Sequence, residues 1–253
     1  RSYSVTGVQT CALPILQARM AEAALRVGRA PTDVRLVAVS KTHPAEAVLA
    51  AWECGQRDFG ENRPEEGAEK IPVVAGAVGT ARPTWHMIGT IQRRKADLVV
   101  AHFDYIHSVD RLVLAKKLSS LAVAAGEVLP VLIECNVSGE ESKAGYSLYG
   151  WEHESKVREP FFREVAALVA LPGLRVEGLM TMAPLTDDPE TARPVFASLR
   201  GLREALQEQA PQATWRHLSM GMTDDFEVAI EEGATLVRVG RAIFGQRSAG
   251  VMV

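Results

Sequence analysis

The sequence predicts a single domain with the (β/α)8 barrel fold, in which eight parallel strands alternate with helices and close into a cylinder. The chain has 253 residues, an ordinary length for one such barrel. About eight short apolar segments alternate with helix-like stretches in one unbroken series, which favours a parallel sheet with helices outside. No GxGxxG pattern follows the first strand and no GxxxxGK[ST] pattern occurs, which disfavours the alternative, an open doubly wound sheet.

The chain begins with a segment that is unlike the rest. Residues 1–15 have no amphipathic period and lack the continuous apolar core of a signal peptide. We interpret them as an N-terminal extension and place the barrel domain at residues 16–253. From Leu16 onward, apolar residues recur at three- and four-residue steps until Gly28, which predicts an extra helix before the first strand.

The barrel elements follow in order. Residues 34–40 are short, apolar and β-branched, as in a buried strand, and residues 44–54 form a helix with proline in its first turn. The further predicted strands are 57–59, 84–88, 104–107, 129–135, 174–182, 215–219 and 235–239. The further predicted helices are 92–101, 111–125, 158–171, 189–209 and 223–232. Two segments, 67–79 and 148–155, are expected to be irregular loops.

Composition and charge make several classes of protein poor candidates. With 28 Lys and Arg against 31 Asp and Glu, the net charge is −3, so there is no basic excess to bind nucleic acid. No apolar run reaches the roughly 18–20 residues of a membrane span. The three cysteines, Cys11, Cys54 and Cys135, form no CxxC pair, which is typical of a reducing compartment, and we expect the cytoplasm.

Functional residues of such barrels lie where the strands end. Lys41 comes directly after the first apolar strand. In the mouth of a barrel its amine would be partly desolvated, which favours the neutral, nucleophilic form that a Schiff base with an aldehyde requires. The alternative is a lysine that extends to solvent at a strand end.

The last two strand ends suggest a phosphate site. Ser219 carries a hydroxyl, Gly221 and Gly240 allow close backbone approach, and Thr223 is a good helix start. Phosphate groups in these barrels often bind at the loops after strands seven and eight, beside a helix N-terminus. The alternative is two ordinary glycine turns.

Several other polar residues allow two interpretations. Arg238 lies within an apolar strand, where it either pairs with a core carboxylate or donates to a ring nitrogen of a cofactor. Since arginine keeps its proton, such a ring nitrogen would stay unprotonated. His86 and His107 fit core or strand-end histidines, and Asn62 fits a turn. These residues lack the pattern of a metal site.

Taken together, the strand-end segments resemble the pyridoxal phosphate homeostasis protein family, single-domain relatives of the alanine racemase barrel. The resemblance runs from about Leu16 to Gly245. The segments that carry it are LVAVSKT at 36–42, FGEN at 59–62, WHMIG at 85–89, IHSVD at 106–110, NVSGE at 136–140 with SKAG at 142–145, GLM at 178–180, LSMGM at 218–222 and VRVGRAIFG at 237–245.

This resemblance implies a (β/α)8 barrel that holds pyridoxal 5′-phosphate. Lys41 falls on the family's Schiff-base lysine, and Arg238 falls on the arginine that faces the pyridine nitrogen. Asn62 and His86 fall on cofactor-side positions. The positions that hold the phosphate are Ser219, Gly221, Met222, Gly240 and Arg241.

The resemblance also implies a carrier rather than an enzyme, a protein that buffers pyridoxal phosphate or delivers it to apo-enzymes that depend on it. An arginine at the ring nitrogen weakens the cofactor as an electron sink. Racemases that resemble the family add a second domain with a tyrosine base, and we expect none here, since the chain ends at Val253. One alternative is a weak amino-acid racemase with Lys41 as base. Another is a barrel that binds a different phosphorylated metabolite without covalent chemistry. We expect a monomer.

Overall fold

The computed structural model describes residues 12–245, and it contains a closed barrel of eight parallel strands. The described residues form nine strands, of which all but β6 belong to the barrel: β1 (Arg35–Val39), β2 (Asp58–Glu61), β3 (Thr84–Met87), β4 (Tyr105–Val109), β5 (Leu129–Asn136), β6 (Tyr146–Ser147), β7 (Leu174–Met180), β8 (His217–Ser219) and β9 (Leu236–Val239). Their order is β4-β3-β2-β1-β9-β8-β7-β5, and pairing of β4 with β5 closes the cylinder. The short strand β6 pairs only with the end of β5. The predicted fold class is confirmed.

Helices surround the barrel. They are α1 (Ala12–Arg26), α2 (Ala45–Glu53), α3 (Pro64–Val78), α4 (Ala96–His102), α5 (Leu112–Ala125), α6 (Ser155–Val169), α7 (Arg193–Gln209), α8 (Phe226–Glu231) and α9 (Arg241–Phe244). None of the helices in residues 12–245 is long and apolar enough to cross a bilayer.

Strand β1 shows why the strands are apolar on both faces. Leu36 and Ala38 belong to the large core between strands and helices. Val37, between them, belongs to a small cluster inside the barrel with Tyr105, Leu132, Met180 and Leu236. Side chains alternate across a strand, so a strand of a barrel covered by helices must be buried on both sides.

Helix α3 corrects one expectation, since residues 67–79 were predicted to be a loop. The segment contains Gly67, Pro72 and Gly76, yet it is helical as far as Val78. Proline at the first position and two acidic residues in the first turn favour a helix start there. Gly67 fits because a Cβ at this position would lie 2.3 Å from the ring of Phe103. Close packing of α3 on Phe103, which directly follows α4, therefore explains the glycine at this position.

Two element ends also differ from expectation. Helix α1 begins at Ala12 rather than Leu16, and Leu13 within it is buried in the core. The predicted strand 215–219 is shortened to His217–Ser219 because Trp215 has a left-handed backbone with φ 44°. The expected loop at 148–155 lies between β6 and α6. The rest of the predicted N-terminal extension, with Cys11, lies outside the described residues.

Candidate functional site

A cavity of about 590 Å³ opens where the strands end, between the loops that follow β1, β2, β7, β8 and β9. Cavities of this size hold small organic ligands. Six of the nine predicted site residues line it: Lys41, Asn62, Met222, Arg238, Gly240 and Arg241. The structure therefore brings together residues that are up to 200 positions apart in the chain.

Lys41 enters the cavity from a tight turn at the end of β1. The amide of His43 donates to the carbonyl of Ser40 at 3.1 Å, which closes the turn. Thr42 within it has φ 65°, a left-handed conformation that is unfavourable for a β-branched residue. Lys41 is half-buried and lines the cavity beside His43.

Arg238 lies at the inner end of the cavity, inside the barrel and away from solvent. Leu236 and Arg238 share the inner face of β9, because they are two residues apart on a strand. The guanidinium of Arg238 donates to the Ser219 hydroxyl at 2.6 Å and to the Thr181 carbonyl at 2.8 Å. Burial lowers the pKa of Arg238 to about 10, while Asp225 and Glu134 oppose the shift. The side chain is therefore cationic at neutral pH.

A chain of hydrogen bonds continues from Arg238 through the barrel. Ser219 Oγ lies 2.8 Å from His107 Nδ1. The other ring nitrogen of His107, Nε2, lies 2.9 Å from His86 Nδ1, and His86 Nε2 lies 2.9 Å from the Asp58 carboxylate. Arginine can only donate and a carboxylate can only accept, so with both histidines neutral all the donors point from Arg238 toward Asp58. Both histidines then carry their proton on Nε2.

The histidine in the middle of this chain is neutral. Burial lowers the pKa of His107 well below its usual value, and the positive charge of Arg238 acts in the same direction. A neutral imidazole can accept from Ser219 and donate to His86 at the same time. The sequence left His86 between a core and a cofactor-side position and predicted His107 as a core or strand-end histidine, and the structure places both deep inside the barrel, outside the cavity lining.

Ser219 and Gly221 also lie outside the cavity lining, in supporting positions. The hydroxyl of Ser219 is occupied by Arg238 and His107. Gly221 has φ 92°, and a Cβ there would lie 2.6 Å from the Cβ of Ala229, so only glycine lets this loop pack on α8. Its carbonyl accepts from the Arg238 amide at 2.9 Å.

The loops after β8 and β9 form one wall of the cavity. A Cβ on Gly240 would lie 2.9 Å from the Val39 carbonyl oxygen, so the backbone approaches closely there. The Asp225 carboxylate accepts from the Met222 amide at 2.5 Å. Arg241 pairs with Asp224 across the rim, which joins the two loops.

Sequence reasoning missed a buried carboxyl group close to this cavity. Glu134 on β5 is 2 % exposed, and its Oε2 has no hydrogen-bond partner within residues 12–245. Burial raises the pKa of Glu134 to about 7; the Asp110 carboxylate adds to the shift and Arg238 opposes it. Its place in an apolar strand was the only available signal. Among the described residues, no group of His, Cys, Asp and Glu has the arrangement of a metal site.

The fold and the site define the class of protein. This is a single barrel of the alanine racemase N-terminal domain type, and the model of that domain family matches residues 16–248. Within that class, the chain belongs to the pyridoxal phosphate homeostasis protein family. It is 41 % identical over 223 residues to the pyridoxal phosphate homeostasis protein of Vibrio alginolyticus, which covers 88 % of this chain and 90 % of that protein. It is also 41 % identical over 234 residues to that of Escherichia coli K12, covering 90 % and 92 %.

Solved structures agree with this assignment. PipY of Synechococcus elongatus PCC7942 without pyridoxal phosphate superposes with a TM-score of 0.77 at 37 % identity, covering 90 % of this chain and 99 % of PipY. The structure of PipY with pyridoxal phosphate bound gives 0.76 at 36 % identity, covering 91 % and 100 %. Alanine racemase of Clostridium difficile 630 shares only the fold, with a TM-score of 0.61, 14 % identity and coverage of 94 % of this chain and 58 % of the enzyme.

Proposed function

We propose that this chain binds pyridoxal 5′-phosphate and serves in its intracellular homeostasis, holding it as a Schiff base on Lys41 without substantial catalysis. The observation that carries the proposal is that Lys41 and Arg238 line one cavity from two neighbouring strands. Strands β1 and β9 pair directly, with Val37 opposite Arg238, so the lysine lies further toward the mouth than the arginine. Membership of the family and the pyridoxal phosphate in one PipY structure support it.

The residues of the cavity fit three groups of this cofactor, which are its aldehyde, its pyridine nitrogen and its phosphate. An amine at the mouth suits an aldehyde, and the guanidinium of Arg238 suits a pyridine nitrogen. Met222 and Gly240 line the cavity from the loops after β8 and β9, where we place the phosphate, and Arg241 adds a cation at the rim. Asn62 lines the same cavity as a further polar contact.

The chemistry of binding is a condensation. The Lys41 amine would hold the cofactor by a C=N bond to its aldehyde carbon, with the aldehyde oxygen released as water. When bound, the cofactor supplies an electron sink that is strongest with a protonated ring nitrogen. Arg238 retains its own proton, because its pKa of about 10 lies above neutral pH. A guanidinium beside the ring nitrogen therefore donates a hydrogen bond without giving up the proton, which favours storage over turnover.

A weak amino-acid racemase is the second candidate function. The match to the racemase domain family and the presence of Lys41 and His43 in one cavity favour it, because both groups can move protons. Incubation of the purified protein with L-alanine or L-serine, followed by chiral chromatography, separates the two functions. Formation of the D-isomer at enzyme-like rates, abolished in Lys41→Ala, would overturn the carrier role.

The main experiment is an absorption spectrum of the purified protein before and after borohydride, followed by peptide mass mapping. Reduction should trap the cofactor on Lys41. Lys156→Ala is a matched control, because Lys156 lies on α6 with its side chain 81 % exposed. A protein that binds the cofactor but shows no trapped adduct would instead indicate a site for a phosphorylated metabolite without covalent chemistry.

The carrier role implies a cellular compartment and proteins that receive the cofactor. We place the protein in the cytoplasm, where Cys54, an exposed thiol, would remain reduced. We propose that it acts as a monomer and releases its cargo to apo-enzymes that depend on pyridoxal phosphate. Light scattering tests the monomer, and transfer to an apo-enzyme separated by a dialysis membrane, compared with direct mixing, tests delivery by contact.

A further inference from the structure

A buried charged cluster lies directly behind the turn that carries Lys41. We call it the α3 clamp, and it consists of Glu61 on β2 with Glu66 and Lys70 on α3. The Lys70 ammonium donates to Glu61 Oε1 at 2.6 Å, to Glu66 Oε1 at 3.0 Å and to the Ser40 carbonyl at 2.8 Å. These three bonds use every donor of the ammonium group. The side chains of Lys70 and Glu61 are 6 % and 0 % exposed.

The turn that carries Lys41 has a backbone conformation that surrounding residues must stabilise. Residues 40–43 form a turn closed by a hydrogen bond from the His43 amide to the Ser40 carbonyl. Its third residue has a positive φ, as a type II turn requires, and that position usually holds glycine or asparagine. Here it is Thr42, with φ 65°. A β-branched residue persists in this conformation only where its surroundings hold it.

The clamp binds the backbone on both sides of Lys41. Lys70 donates to the carbonyl of Ser40, and Glu66 accepts a short hydrogen bond from the amide of Thr42. The Ser40 hydroxyl also donates to Glu61 at 2.7 Å. None of the three clamp residues lines the cavity, so their contact with the site runs through the backbone of this turn.

Stability alone is a poor reason for such a cluster. A buried ion pair contributes little net stability compared with apolar residues of the same size, because both charges lose their hydration. Burial raises the pKa of Glu61, while Lys70 opposes the shift, and Glu61 Oε2 has no hydrogen-bond partner among the described residues. A cluster that is costly to bury and is bonded to both neighbours of Lys41 points to a positioning role.

We infer that the α3 clamp positions Lys41, with Glu66 holding the Thr42 amide so that the turn directs the lysine amine into the cavity. The inference rests on the proposed function, because the reaction of this amine with the aldehyde of pyridoxal phosphate is what the positioning serves.

The test compares two neighbouring glutamates in the first turn of α3. Glu66→Ala removes the bond to Thr42, while Glu65→Ala removes an acid of the same turn that pairs with Lys95 at the surface. We expect Glu66→Ala to weaken binding of pyridoxal phosphate about tenfold, the order of a strained left-handed residue, and Glu65→Ala to bind like wild type. Pyridoxine 5′-phosphate, which has an alcohol in place of the aldehyde, should bind equally to both variants.

A second substitution separates positioning from general damage. Glycine adopts a positive φ without strain, so Thr42→Gly should restore pyridoxal phosphate binding in the Glu66→Ala background. Glu66→Gln keeps an oxygen for the Thr42 amide and should bind like wild type. Equal loss of both ligands in Glu66→Ala, no restoration by Thr42→Gly, or loss in Glu66→Gln would overturn the inference. A wild-type protein that binds pyridoxal phosphate without an imine absorbance would refute the covalent part of the proposed function, and the positioning role with it.

Discussion

The guanidinium of Arg238 donates to the hydroxyl of Ser219 at 2.6 Å, and this bond connects the cavity to the interior of the barrel. The same hydroxyl faces His107 Nδ1 at 2.8 Å, and the chain continues through His86 to Asp58. A serine predicted to hold a phosphate is thus placed to orient the arginine. Because every hydrogen bond in this chain is donated in the same direction, the orientation of each residue depends on the residue that donates to it.

Ser219→Ala should weaken the binding of pyridoxal phosphate and lower stability. The change leaves His107 Nδ1 without a donor and one arm of Arg238 without its acceptor, and a buried unpaired polar group costs about 1–3 kcal/mol. Urea denaturation and ligand titration measure the two effects. Ser120→Ala, at an exposed serine that bonds within its own helix, is the control and should change neither. Wild-type behaviour of Ser219→Ala would contradict the chain as described.

Lys41→Ala should abolish the imine absorbance and leave the fold intact. The side chain is half-buried at the cavity, so its removal takes little packing from the core. Absorption spectra and thermal unfolding measure the two properties. An unfolded variant would show that the lysine is structural, and a retained imine would place the covalent bond on another amine.

Gly240→Val should reduce retention of the phosphorylated cofactor. A Cβ at this position would lie 2.9 Å from the Val39 carbonyl oxygen, so the backbone would have to move at the wall of the cavity. Equilibrium dialysis with pyridoxal phosphate and with pyridoxal compares ligands that differ only in the phosphate. The loss should be larger for the phosphorylated ligand, and equal affinity of variant and wild type would place the phosphate elsewhere.

Glu134→Gln should change how the stability of the ligand-free protein depends on pH. Burial raises the pKa of Glu134 from 4.5 to about 7, so between these values the folded state holds a proton that the unfolded state has lost. The wild type therefore loses stability from this group as the pH rises from about 4.5 through 7, to an extent of roughly 3 kcal/mol. Urea denaturation at pH 5 and pH 8 should show the variant gaining on the wild type. A constant difference would show that the carboxyl group is ionised throughout.

Two glycines of helix α3 should respond in opposite directions to alanine. Gly76→Ala meets no atom within 4 Å and should stabilise the protein by up to about 1 kcal/mol, because alanine favours the helix. Gly67→Ala places its Cβ 2.3 Å from the ring of Phe103 and should destabilise it. Thermal unfolding of both variants measures this, and stabilisation by both would contradict the tight packing of α3 on Phe103.

The strand ends could be predicted because they depend on local pattern. Lys41 follows a β-branched run and Arg238 interrupts another, so the position of each at or within a strand is visible in the letters. Helix α3 could not be predicted in this way. Gly67 is tolerated because Phe103, distant in sequence, packs where a Cβ would be, and local propensity contains no information on such a contact.

The amino-acid sequence by itself determined the alternation of strands and helices, the barrel class, and six of the residues that line the cavity, because these follow from hydrophobic period and from the rule that strand ends meet at one face. Only the tertiary structure decided what each polar residue contacts. The side chains of Ser219 and His86 belong to the hydrogen-bonded chain that runs inward from Arg238, and Glu66 accepts from the backbone of the turn that carries Lys41. Hydrogen bonds depend on distances of a few tenths of an ångström between distant segments, and no sequence period specifies those distances.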